Sequence, residues 1–108
     1  MIFIESKIFE KLRDKYLDDE SYRALQNFLV VQPTIGDTIQ GTGGLKKLRW
    51  SAQGKGKRGG VRTIYLYLSH NEHIHFLTIY AKNEMSNLTT DQKKILKKLT
   101  EEIKDGTT

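Results

Sequence analysis

Seven consecutive residues, Gly54-Lys55-Gly56-Lys57-Arg58-Gly59-Gly60, combine three cations with four glycines. Glycines let successive backbone N–H groups converge on an anion with no Cβ in the way, and Lys55, Lys57 and Arg58 add full charges and donors. Such a stretch suits a phosphodiester. It lacks the GxxxxGK[ST] pattern and no helix pattern follows it, which argues against a nucleotide-hydrolysing P-loop. By itself it describes a basic hairpin tip equally well.

The neighbouring charges favour anion binding. From Lys46 to Lys82 there are eight bases (Lys46, Lys47, Arg49, Lys55, Lys57, Arg58, Arg62 and Lys82) against one acid, Glu72, so this segment is +7 in a chain whose net charge is +5. Cations that displace condensed counterions from phosphates gain free energy, so a polyanion is the natural partner. Trp50 and Tyr65 are candidates to stack on exposed bases, with Tyr67 and Tyr80 better suited to packing. His70, His73 and His75 sit on a turn and a strand edge with only Glu72 beside them, a pattern of solvated surface rather than a metal site. With no Cys in 108 residues, disulfides, thiolate zinc and a cysteine nucleophile are excluded. No cofactor or metal is expected.

These residues need a frame. Length and composition, 37% hydrophobic and 29% charged, fit one soluble domain over residues 1–108. Met1-Ile2-Phe3-Ile4-Glu5 lacks the basic start and apolar length of a signal peptide or span, so a cytoplasmic protein with no membrane association is expected. Ile2–Ile4 reads as a short strand. Ser6 can cap a helix bearing Ile8, Phe9, Leu12 and Tyr16, and Asp18-Asp19-Glu20 restarts a helix bearing Tyr22, Leu25, Phe28 and Leu29 before Pro33 ends it.

Eight of nine glycines lie between Gly36 and Gly60, so turns and short strands are expected there, with Leu45–Trp50 as one strand. Val61–Leu68 and His73–Lys82 are rich in β-branched and aromatic residues and flank a turn, which predicts an antiparallel hairpin. That pairing brings Arg62, Lys82 and the glycine segment to one open end. Thr89-Thr90-Asp91-Gln92 is a capping box, and Ile95, Leu96, Leu99 and Ile103 line one side of a last helix. The order predicts an α+β domain: a small antiparallel sheet with an N-terminal helical hairpin and a C-terminal helix.

Four stretches carry a family resemblance: Phe9-Glu10 with Tyr16; Gly36-Asp37-Thr38-Ile39-Gln40-Gly41-Thr42-Gly43-Gly44-Leu45-Lys46-Lys47; Gly54–Gly60 with Arg62 and Tyr65; and Leu77-Thr78-Ile79-Tyr80-Ala81-Lys82-Asn83-Glu84. Over nearly its whole length the chain resembles a HigB-type toxin of the RelE/ParE superfamily, from type II toxin–antitoxin modules. The resemblance implies the RelE-like, microbial-ribonuclease-like fold: helices against a twisted antiparallel sheet.

It also implies a toxin that cuts translated mRNA in the ribosomal A site without metal, contacts 16S rRNA and inhibits translation. A cognate helix-turn-helix antitoxin is implied, with the free toxin monomeric. By similarity, Lys55 and Lys57 act as acid–base or electrostatic catalysts, Arg62 clamps phosphate, and Lys82 supplies a second cation. Arg58 is implied as an RNA contact, and Lys46, Lys47, Arg49, Asn83, Trp50 and Tyr65 are expected to join it. Relatives often carry Tyr at the start of the last helix or His near the C-terminus, where this chain has Leu88-Thr89-Thr90 and Lys104-Asp105-Gly106-Thr107-Thr108. The general base is therefore open between a loop lysine and Glu84. Alternatives are a ParE-like gyrase poison on the same scaffold and a noncatalytic RNA-binding module.

Overall fold

A computed structural model describes residues 1–51, 60–85 and 87–106. The elements run β1 (Ile2–Glu5), α1 (Lys7–Tyr16), α2 (Asp19–Val31), β2 (Asp37–Thr38), β3 (Lys46–Trp50), β4 (Val61–Leu68), β5 (His73–Ala81) and α3 (Thr90–Gly106). They form an α+β fold on a five-stranded sheet of order β1-β5-β4-β3-β2. The pairs β2–β3, β3–β4 and β4–β5 are antiparallel, while β1 joins the far edge parallel to β5. That parallel strand lay beyond the periodicity, because strand direction follows from the helical crossover α1–α2, which carries the chain back across the sheet.

The helix boundaries follow their caps. Ser6 Oγ accepts from Phe9 N–H at 3.0 Å and donates to the Leu77 carbonyl at 2.7 Å, tying α1 to β5. Asp18 accepts from Ser21 N–H at 2.8 Å, and Asp19 and Glu20 place acids in the first turn of α2, where they complement the helix dipole. Thr89 and Gln92 exchange reciprocal hydrogen bonds at 2.8 and 3.1 Å, so the capping box forms at α3.

Alternation along the strands gives each sheet face its own core. One face packs Leu48, Val61, Tyr65, Ile74, Phe76 and Ile79 against Phe9, Leu17, Tyr22, Leu25 and Leu29 of the helical hairpin. The other packs Ile64, Leu66, Leu68, Leu77 and Tyr80 with Leu45 and Leu96. Each fully buried side chain of this size contributes about 1.5–3 kcal/mol. Ile95 departs from expectation: at 61% exposed it lies off the packed face of α3, whose seam is Leu96, Leu99, Thr100 and Ile103.

Two further differences shape the site. The glycine-rich middle contains the two-residue strand β2, in which Asp37 and Thr38 pair with Lys47 and Lys46. Strand β5 ends at Ala81, so Lys82 begins a turn. Where β3 and β4 close together, Gly60 has φ +58° and a Cβ there would stand 2.4 Å from the Trp50 carbonyl oxygen. Only glycine fits.

Candidate functional site

The cations gather because register forces them to. Arg49 on β3 faces Arg62 on β4, and Arg62 faces Tyr80 on β5. Directly opposed residues share a sheet face with Cβ atoms about 4.5–5.5 Å apart, so the two guanidiniums and the phenol occupy one rung. The next rung sets Lys47 against Ile64 on one side and Asp37 on the other. Lys47, Arg49 and Arg62 thus form a continuous basic strip on the face that α3 crosses.

At the end of this strip the chain leaves β3 at Ser51 and returns at Gly60. Lys55, Lys57 and Arg58, expected to contact RNA, lie outside the described residues. Lys82 joins the same corner, its N–H donating to the Gly60 carbonyl at 3.3 Å. Arg62 and Lys82 therefore lie at one end of the β4–β5 hairpin, as its pairing predicts, and the β3 register adds Arg49 beside Arg62.

Glu84 fixes that corner. Its carboxylate accepts from Ala81 N–H at 3.2 Å and from the Tyr16 hydroxyl, with Lys15 Nζ at 3.5 Å. The Tyr16 hydrogen bond, then the Ala81 amide, holds its pKa below the usual carboxylate range. Glu84, one of the two candidates for general base, is thus tied to α1 and to the Lys82–Asn83 turn. Asn83 lies exposed in that turn.

Three expected RNA contacts point elsewhere. Tyr65 is fully buried; its hydroxyl donates to the Pro33 carbonyl at 2.9 Å and accepts from Gly36 N–H at 3.0 Å, so its ring is out of reach of a base. Trp50 packs on Phe28, ring centroids 5.5 Å apart, on the helical-hairpin face. Lys46 alternates to that face too, its ammonium donating to Thr38 Oγ1 at 3.1 Å and the Gly36 carbonyl at 3.4 Å. All three hold the frame. Strand alternation alone separates Lys46 and Trp50 from Lys47 and Arg49.

A cleft of about 200 Å³ opens beside the arginine rung, between β2–β3 and the start of α3. Asp37, Thr38, Lys47, Asn87 and Lys93 supply its polar lining, with Ile39, Leu88 and Tyr80. Tyr80 is 5% exposed and burial raises its pKa, an effect partly offset by Arg62. Its hydroxyl has no hydrogen-bond partner among the described residues. Sequence reasoning gave Tyr80 to packing and passed over Lys93. The available signal was that Tyr80 falls opposite Arg62 once the β4–β5 hairpin is in register.

A structure of Escherichia coli toxin RelE, an arginine-to-alanine double mutant in the free state, shares this fold with a TM-score of 0.55 at 15% identity, covering 79% of this chain and 86% of that one. A family model described as the RelE toxin of the RelE/RelB toxin–antitoxin system matches residues 2–108.

Proposed function

This chain belongs to the RelE toxin family, and we propose that it is a HigB-type, ribosome-dependent endoribonuclease acting on translated mRNA, with residues 1–108 as one toxin domain. The observation that carries this reading is the Arg49–Arg62 rung, contiguous with Lys47 and flanked by the basic segment Gly54–Gly60. Two guanidiniums side by side on one sheet face suit a phosphodiester, whose oxygens can accept from both.

In the reaction a ribose 2′-oxygen bonds to the adjacent phosphorus while the bond from phosphorus to the 5′-oxygen breaks. The 2′-hydroxyl loses its proton to a base, the 5′-oxygen gains one, and the products are a cyclic phosphate and a free 5′-hydroxyl. Negative charge grows on the phosphoryl oxygens on the way. Arg62 and Arg49 stabilise it from the sheet, and Lys55 and Lys57 carry the electrostatic or proton-transfer role. No metal is required. Arg58 and Lys47 hold the flanking backbone, and Lys82 and Asn83 approach from the turn that Glu84 anchors.

Among the described residues this strip has no strongly matched acid–base residue, so positioning of mRNA by the ribosomal A site, with 16S rRNA contacts, supplies much of the rate. A helix-turn-helix antitoxin neutralises the free toxin in the cytoplasm. Induction in cells with cleavage mapping tests this function. Codon-phased cuts within translated messages support it, whereas DNA damage without cuts supports gyrase poisoning and absence of toxicity supports a binding module.

A further inference from the structure

The cleft beside the rung has features that phosphate binding leaves unexplained. Its lining combines the ammonium groups of Lys47 and Lys93 with a carboxylate, Asp37, which repels a phosphate. Asp37 and Lys47 stand opposite in register yet make no ion pair among the described residues, so neither charge is consumed by the other. Tyr80 lines it, and its buried hydroxyl has no hydrogen-bond partner among the described residues. An unsatisfied buried hydroxyl costs free energy that a bound group recovers. At about 200 Å³ the cleft is smaller than drug-sized sites, which begin near roughly 300 Å³, and admits one flat heterocycle.

We propose that this cleft is a base-selecting subsite, taking one nucleobase of the bound RNA and preferring bases with an exocyclic amine (guanine, adenine or cytosine) over uracil. Identifying the ligand as RNA rests on the function proposed above. Lys47 lies two residues from Arg49 on one strand, about 6.6 Å away, so a phosphate on the arginine rung leaves its neighbouring base beside the cleft. Asp37 accepts from the amine. Uracil presents only carbonyl oxygens around its one ring N–H, and these repel a carboxylate. Tyr80 donates to a ring nitrogen or carbonyl, which every base offers.

The test titrates the full chain with the 3′-monophosphates of the four ribonucleosides, followed by NMR of backbone amides 37–39 and 87–93. The three amine-bearing nucleotides should bind about tenfold tighter than the uridine nucleotide, and Asp37→Asn should equalise all four. Tyr80→Phe should weaken all four by about three- to tenfold without lowering thermal stability, because the hydroxyl has no partner to lose among the described residues. Equal binding of the four by the native chain, discrimination that survives Asp37→Asn, or shifts confined to other residues overturns the subsite. A native chain that discriminates in this assay but cuts no translated message leaves the subsite standing and overturns the nuclease function instead.

Discussion

Arg49 and Arg62 are register partners across β3 and β4, two cations set side by side on the sheet face that α3 crosses. Arg49 is exposed at this position, so replacing its charge should cost the fold little. Arg49→Gln should therefore keep the melting temperature while weakening RNA. Each lost phosphate contact should reduce the slope of log K against log salt by about 0.7 for single strands. Thermal melts and salt titrations with a short single-stranded RNA check both halves.

The Tyr16–Glu84 hydrogen bond joins α1 to the turn carrying Lys82 and Asn83. Tyr16→Phe should lower mRNA cleavage by about tenfold through misplacement of the turn. Global stability should change little, because the pair is at the surface. Cleavage rates measured beside melting temperatures separate the two effects; equal losses in both would mean the contact merely holds the fold.

Tyr65 makes the reverse prediction. Tyr65→Phe leaves the buried Gly36 N–H and the half-buried Pro33 carbonyl without their partner, at a cost of about 1–3 kcal/mol. Activity per folded molecule should stay within about twofold, since the ring touches no substrate. Gly36→Ala should destabilise in the same way, because its Cβ would stand 2.9 Å from the Tyr65 ring. Denaturant melts paired with cleavage assays decide this.

Acid should destabilise the protein through His75, which is 8% exposed. Burial, with the nearby His73 adding to it, holds this imidazole below its ordinary range. The unfolded chain takes up a proton near about 6.5 while the folded chain does not, so the contribution is full above about pH 6.5 and falls away as pH drops below it. His75→Leu should flatten stability between about pH 7 and 5, as melting curves across that range will show.

Much of this was legible in the chain because local signals agreed with the tertiary fold. Ser6, Asp18 and Thr89 announced the three helix starts, and the Val61–Leu68 and His73–Lys82 runs announced the hairpin that carries Arg62. The parallel pairing of β1 was not, since it depends on where the helical hairpin returns the chain. Nor were the roles of Tyr65 and Trp50, whose aromatic type suits a core as well as a base. Lys46 and Lys47 are equal in sequence, and only the register of β3 assigns one to each face. The cleft escaped notice because it joins Asp37, Tyr80 and Lys93, residues far apart in the chain.

The central claim is that the shared face of Arg49 and Arg62 is where the RNA backbone is cut. Purified protein mixed with ribosomes stalled on a defined message, with cut sites read by primer extension, addresses it directly. The native chain should cut within the A-site codon, Arg62→Ala should lose at least about a hundredfold of the rate and Arg49→Ala about tenfold, while both variants keep the native melting temperature within a few degrees. Native cleavage rates in the Arg62→Ala and Arg49→Ala proteins would contradict the account.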